Sequence, residues 1–111
     1  MFYFLFLKGA YQNEIFFVEG CLKKTPPVPE DIMKSHIAYS QKAMDDNLIL
    51  MTSIKTDQTG ALFIMKANSS KKINDYLSNE PLKLNNIQDY KVIEFEPHYF
   101  NKSLDKWFID N

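Results

Sequence analysis

The sequence contains no arginine: all thirteen basic residues are lysine, against fourteen acidic residues, which gives a net charge of -1. Without arginine the chain lacks the planar guanidinium that binds phosphates and carboxylates through paired hydrogen bonds. A nearly neutral chain also has no positive field to attract a phosphate backbone. These absences argue against a nucleic-acid partner.

Glycine and cysteine are scarce, with three glycines and one cysteine. None of the glycines follows the spacing of a phosphate-binding or dinucleotide-binding loop, so we expect no nucleotide cofactor. The single Cys21 excludes an internal disulfide and suits a reducing compartment. Neither His36 nor His98 lies at metal-ligand spacing from the other histidine or from Cys21, so we expect no metal site.

Long apolar runs are also missing. The apolar opening MFYFLFL ends at Lys8 and is too short to span a membrane. It has neither the basic lead-in nor the small-residue cleavage site of a signal peptide. We therefore expect a cytoplasmic protein without a membrane partner.

The composition that remains is that of a folded domain, with 45% hydrophobic, 14% aromatic and 24% charged residues. A chain of 111 residues is one domain by size, so we predict a single domain over residues 1–111. Its tail, residues 97–111, carries aromatic residues that need a covering surface. That surface is either the rest of the chain or a partner subunit.

The hydrophobic pattern predicts the order strand, helix, strand, strand, helix, strand. The predicted elements are a strand at 2–7, a helix at about 30–46, strands at 48–54 and 61–67 around a turn at 57–60, a helix from the cap at 68–70 to before Pro81, and a strand at 90–97. Within 10–29 a hairpin and a short helix remain open. The order is that of a ferredoxin-like βαββαβ sandwich, an α+β fold with a four-stranded antiparallel sheet and two helices on one face.

Alternation along the predicted strands indicates that both sheet faces are apolar. The residues on opposite faces are Phe2, Phe4 and Phe6 against Tyr3, Leu5 and Leu7, and Leu62 and Ile64 against Phe63 and Met65. Two helices cover only one face, and a large exposed apolar surface favours association. We predict a homodimer packed sheet against sheet.

Two neighbouring rows of residues lie on the side of the 30–46 helix that we expect to face the core. They are Met33, Ile37, Ser40 and Met44, and Ile32, His36, Tyr39 and Ala43. The pattern favours burial of the first row, which places His36 on the flank of the buried face.

Four short motifs occur in a distinctive order: S-H-I-A-Y at 35–39, D-Q-T-G-A at 57–61, N-E-P-L at 79–82 and V-I-E-F-E-P at 92–97. In order and spacing they resemble the YciI-like family, over about residues 30–97 and the first strand. The resemblance implies a dimeric α+β barrel with a His–Asp acid/base centre. Some members of that family act on small ring compounds by dehydrochlorination.

The resemblance also assigns roles to residues. His36 matches the histidine of the family, and Glu80 stands where the family usually has the aspartate of an Asp-Pro pair. Gln58 occupies a turn position at which relatives often have arginine, and we predict that it contacts substrate. Tyr39, one turn after His36, is a candidate hydrogen-bond donor to the same substrate.

Two functions fit this sequence. In the first, a homodimeric, cofactor-free enzyme of the lyase or isomerase type uses His36 and Glu80 to move a proton on a small cyclic metabolite held by Tyr39 and Gln58. In the second, the same fold is a non-catalytic module for small-molecule binding or dimerisation. His36 is then a packing residue, and Glu80 before Pro81 only ends a helix.

Overall fold

A computed structural model describes residues 2–4, 13–25 and 27–109, with the backbone alone for residues 2–4. Its elements are β1 (Phe2–Phe4), β2 (Glu14–Leu22), α1 (Glu30–Asp45), β3 (Ile49–Ile54), β4 (Gly60–Ala67), α2 (Ser70–Ser78), α3 (Pro81–Leu84), β5 (Gln88–Phe95), β6 (Tyr99–Asn101) and α4 (Leu104–Phe108). No helix of the described ranges is long and apolar enough to cross a membrane.

The main sheet has four antiparallel strands in the order β3-β4-β2-β5. Its strands and the two longer helices follow the chain order β2-α1-β3-β4-α2-β5, which is the connectivity of two split βαβ units. The predicted α+β, ferredoxin-like fold class is confirmed.

The first strand of this sheet is β2, so the prediction that residues 2–7 occupy that place is wrong. β1 instead pairs with β6 in a separate two-stranded sheet, with Phe2 opposite Asn101. Residues 5–7 lie outside the described part of the chain. Both apolar runs have the length and composition of a strand, so pattern alone could not choose between them. The segment left open between a hairpin and a helix therefore supplies a central strand.

One face of the sheet and both longer helices enclose the core. The buried residues are Phe16 and Val18 from β2, Phe63, Met65 and Ala67 from β4, Ile49 from β3, Ala43 from α1, and Ile73 and Leu77 from α2. The Ser69 hydroxyl accepts a hydrogen bond from the Lys72 N–H and begins α2, as its position in the sequence predicts.

The opposite face of the sheet, here called the outer face, is also apolar. Phe17 is paired with Ile64 on one side and with Ile93 on the other, so these three side chains form a row across three strands. Phe17 and Ile64 are half-buried, whereas Ile93 is 47% exposed. The predicted alternation of Leu62 and Ile64 against Phe63 and Met65 is confirmed; the matching prediction for residues 2–7 concerns side chains outside the described set.

Helix α1 has nearly the predicted bounds, and both rows contribute to its inner face. Ile37 is 59% exposed, while Ala43 is 3% exposed and the His36 side chain 19%. The prediction that Ile37 is buried is wrong, whereas the other members of its row, Met33, Ser40 and Met44, are half-buried. The physical reason is that the polar tips of His36 and Tyr39 find partners at α2 and at the α2–α3 junction, so that α1 is turned with Ile37 toward the outside.

Candidate functional site

Glu80 lies at the junction of α2 and α3. The residue before a proline is extended rather than helical, and Glu80 has φ -69° and ψ 134°. It is the N-cap of α3, and its Oε2 accepts a hydrogen bond from the Leu82 N–H at 2.9 Å. The residue is fully buried, at 0% exposure. Glu80 therefore starts one helix just after α2 has ended.

His36 contacts this buried carboxylate from α1. The distance from His36 Nδ1 to Glu80 Oε2 is 3.1 Å, although the two residues are 44 positions apart. An ionised carboxylate only accepts hydrogen bonds, so with Glu80 in that form Nδ1 would donate in this contact and Nε2 would be the basic nitrogen of a neutral ring. Among the described residues, none forms a hydrogen bond with Nε2. The arrangement places an imidazole nitrogen without a bonded partner among the described residues on the far side of the ring from a buried carboxylate.

Tyr90 of β5 provides a third donor to Glu80. Its hydroxyl donates a short hydrogen bond to Glu80 Oε1 and accepts one from Gln88 Nε2 at 2.9 Å. The Glu80 carboxylate thus accepts from a backbone N–H, an imidazole and a phenol. Burial of a charged carboxylate is costly unless such donors replace the lost water. All three donors are protein groups, so the buried carboxylate is hydrogen-bonded without access to water.

Burial and Glu80 together keep the surrounding tyrosines protonated. Burial raises the pKa of Tyr90, and its hydrogen bond to Glu80 raises it further. Burial raises the pKa of Tyr39, with a smaller contribution from the Glu80 charge. Burial likewise raises the pKa of Tyr76, while the nearby Ser40 hydroxyl opposes this weakly. All three phenols are therefore neutral donors at physiological pH.

Tyr39 lies one turn beyond His36 on the same row of α1. Its hydroxyl donates to the Tyr76 carbonyl at 2.8 Å, and the two rings stack with centroids 4.6 Å apart. The Tyr76 hydroxyl is buried; the Ser40 hydroxyl is near it, but the Tyr76 hydroxyl forms no hydrogen bond of normal geometry in the described part of the chain. The hydroxyl of Tyr39 is already engaged, so a ligand would meet mainly its ring. Its role in substrate binding stays a prediction.

Gln58 lies in the turn between β3 and β4. It has φ 61° and an exposed side chain, and its backbone N–H donates to the Lys55 carbonyl at 2.8 Å. Within the described ranges, no hydrogen bond connects Gln58 with His36 or Glu80. The structure thus joins His36, Glu80 and Tyr39 in one cluster of helices and leaves Gln58 in a surface turn. Its contact with substrate also stays a prediction.

Sequence reasoning missed Tyr90 and Gln88. The predicted last strand began at residue 90, two residues after the observed start of β5, so Gln88 lay outside the prediction. Gln88, Tyr90 and Val92 alternate along β5 and face the helices, and Gln88 is only 1% exposed. Two polar residues in register with a half-buried valine were the available signal, since buried polar groups require partners.

A separate apolar cleft of about 800 Å³ contains none of the site residues. It is lined by Ile15, Met44, Asn47, Ile49, Leu50, Ile64, Met65, Lys66, Phe95, Pro97, Tyr99, Phe100 and Leu104. Among the residues that the structure describes, no group of three or more histidine, cysteine, aspartate or glutamate side chains could hold a metal ion. The polar groups of the His36–Glu80 site mainly bind one another.

No family model and no curated protein matches this chain. Among solved structures it is similar to a 5-chloro-2-hydroxyhydroquinone dehydrochlorinase from Burkholderia phenoliruptrix AC1100, determined in complex with 2,5-dihydroxybenzoquinone. The sequence identity is 17% and the TM-score 0.55, over 74% of this chain and 93% of that chain. At this identity the similarity supports the α+β fold alone. Membership of the YciI-like family stays a prediction.

Proposed function

We propose that this protein performs cofactor-free acid/base chemistry on a small cyclic metabolite through His36, with Glu80 as the residue that orients the imidazole. The observation that carries the proposal is the contact of 3.1 Å between a partly exposed imidazole and a fully buried carboxylate. A surface ion pair would not explain it, because Glu80 has no access to water. A carboxylate behind a histidine instead fixes the tautomer and stabilises the imidazolium that forms.

The chemistry follows from the free Nε2. That nitrogen takes a proton from a carbon next to a ring carbonyl; the C–H electron pair forms a C=C bond to the carbonyl carbon, and the π pair of the carbonyl moves onto its oxygen. Return of the proton to another carbon completes an isomerisation. Departure of a leaving group with its electron pair completes an elimination, which is lyase chemistry. Neither route needs an oxidant or a reductant.

The similar solved structure supports a class of substrate for this chain, a small ring compound, but does not identify the compound itself. That protein is a dehydrochlorinase, and its structure contains an oxygenated six-membered ring. A fold that accommodates such a compound in one protein is suited to a small ring compound in another. For this chain we propose a small, oxygenated ring that can lose a proton.

The runner-up is a non-catalytic module of the same fold. A specific observation favours it: Glu80 caps α3 through the Leu82 N–H and accepts from Tyr90, so its burial has a structural explanation without chemistry. His36 would then be a hydrogen-bond donor to a bound ligand or a packing residue. The two functions differ in whether the protein turns a ring compound over.

We also propose that the protein is a homodimer packed through the outer face. The row of Phe17, Ile64 and Ile93 is apolar, and Phe95 on the same face is 39% exposed. A second copy presents the same surface, so a two-fold arrangement would cover both outer faces at once. The tail beyond β6 would pack at the edge of this interface, since Trp107 of α4 is 69% exposed.

The discriminating experiment measures proton–deuterium exchange in D₂O by proton NMR, with a panel of small cyclic ketones, lactones and hydroxyquinones. We expect exchange above the buffer rate for at least one compound in the wild type. His36→Gln should lose this rate about 100-fold or more, since a general base contributes at least that much. His98→Gln is the matched histidine control and should retain it. Binding of a panel compound without any exchange would instead support the non-catalytic module.

A further inference from the structure

A second set of polar groups lies on β5, on the side of Glu80 away from His36. These groups take no direct part in proton transfer at Nε2. The set consists of the Tyr90 hydroxyl and the Gln88 amide, two residues apart on the same face of the strand. Of the two, only the Tyr90 hydroxyl contacts Glu80, and it does so at Oε1, whereas His36 bonds Oε2. The two carboxylate oxygens therefore have different partners.

A carboxylate needs such support to keep one orientation. The last torsion of a glutamate side chain is broad and roughly two-fold, so it does not select a rotation by itself. The Leu82 N–H and His36 Nδ1 both bind Oε2, which leaves Tyr90 as the described donor to Oε1. Loss of this donor would let the carboxylate plane turn about its bond to the side chain.

Tyr90 is itself held in place on two sides. Its ring packs against Phe63 with centroids 5.8 Å apart. Gln88 donates to its hydroxyl, which directs the hydroxyl proton toward Glu80. Gly20 in the neighbouring strand makes room for that amide, because a Cβ at position 20 would lie 2.7 Å from Gln88 Cδ. Successive contacts therefore connect Gly20 of the sheet, through Gln88, Tyr90 and Glu80, with the His36 imidazole.

We propose that Tyr90 is a positioning residue of this site: its hydroxyl, supported by the Gln88 amide, holds the Glu80 carboxylate in the rotation that keeps the proton on His36 Nδ1 and the basic nitrogen at Nε2. The inference rests on the proposed function for its catalytic meaning. Its structural content, the choice of tautomer, is measurable without any substrate.

The test follows the ring nitrogens of His36 by nitrogen-15 NMR in the full chain, in mildly alkaline solution in which imidazoles are neutral. The His98→Gln spectrum assigns the two histidines. We expect the Nδ1–H tautomer to dominate in the wild type. Tyr90→Phe keeps the ring and removes only the hydroxyl, and it should lower the ratio of Nδ1–H to Nε2–H about five-fold, as the loss of one net hydrogen bond allows.

Two further variants separate positioning from general disturbance. Tyr76→Phe also removes a buried hydroxyl, but one without a hydrogen-bond partner in the described residues, so the ratio should not change. Gln88→Met preserves length and removes the amide that supports Tyr90, so the ratio should fall less than in Tyr90→Phe. It replaces Tyr90→Phe as the test if that variant does not fold.

An unchanged ratio in folded Tyr90→Phe, or an equal fall in Tyr76→Phe, overturns the inference. The readout is also independent of turnover. A fall in the ratio in a protein that exchanges no ring compound supports the role of Tyr90 and removes the proposed function. Proton exchange on a ring compound, together with a tautomer ratio that does not change in Tyr90→Phe, supports the proposed function and overturns the role of Tyr90.

Discussion

The imidazole of His36 lies 3.1 Å from the carboxylate of Glu80, one of two buried polar or charged residues in the described part of the chain. The contact joins the middle of α1 to the junction of α2 and α3, so it ties together the helical layer as well as forming the candidate site. A change at Glu80 should accordingly affect stability and chemistry, and the two effects can be separated.

Replacement of Glu80 by alanine should be strongly destabilising. It removes the acceptor of the Leu82 N–H and of the Tyr90 hydroxyl and leaves both donors buried. We expect a loss of about 3 kcal/mol in the free energy of unfolding, measured by urea denaturation. Glu94→Ala removes an exposed carboxylate and should change stability by less than about 0.5 kcal/mol. Equal losses in the two variants would contradict a stabilising role for Glu80.

The stacked tyrosines Tyr39 and Tyr76 should respond in opposite ways to loss of their hydroxyls. Tyr39→Phe loses a hydrogen bond to a backbone carbonyl and should lower the free energy of unfolding by about 1 kcal/mol. Tyr76→Phe removes a buried hydroxyl without a partner among the described residues and should raise it by about 1 kcal/mol. Thermal and urea unfolding of both variants provide the comparison. Destabilisation by both would mean that the Tyr76 hydroxyl has a partner.

Alkaline pH should destabilise the fold through the buried phenols. The pKa of Tyr90 is raised above the ordinary value of 10.0, so the folded state retains a proton that the unfolded state releases. Stability is therefore complete below about pH 10 and falls as the pH rises above it. Tyr90→Phe should reduce this slope by up to about 1.4 kcal/mol per pH unit. Urea unfolding between pH 9 and 11 measures it, and an identical slope in the variant would contradict the assignment.

The proposed dimer predicts a change in molecular mass on substitution in the outer face. Light scattering should give twice the 13.0 kDa of one chain for the wild type. Ile93→Lys places a charge in the apolar row and should yield monomer. Glu94→Lys, the next residue of β5 and on the other face, is the control and should remain dimeric. A wild type of 13.0 kDa at all accessible concentrations would remove the outer-face dimer.

Local signals predicted the elements whose ends carry chemical markers. The start of α1 is marked by the acidic residues of its first turn, whereas the Asp57–Thr59 turn and the Ser69 cap each set a boundary by a local hydrogen bond. The choice of first strand could not be predicted locally. Two apolar runs were equally suited to form this strand. Which of them does so depends on pairing with β4 and β5, which lie far along the chain.

The candidate site was predictable only in part for the same reason. The family resemblance pointed to His36 and Glu80, but their distance depends on how α1 rotates against the sheet. Gln88 and Tyr90 contribute through a strand whose beginning was placed too late. Their role emerges only when the strand register puts Gly20 opposite Tyr90 and leaves space for the Gln88 amide.

The central position of β2 has a consequence for synthesis of the chain. β2 leaves the ribosome first among the strands of the main sheet, yet both of its edges pair with strands that are made much later, β4 and β5. One edge of β2 therefore stays unpaired until translation has passed residue 67, and the other until it has passed residue 95. Long-range pairing of this kind slows folding and exposes aggregation-prone edges. Nascent chains that end before β5 should depend on chaperones, whereas the completed chain supplies the last edge strand that β2 needs.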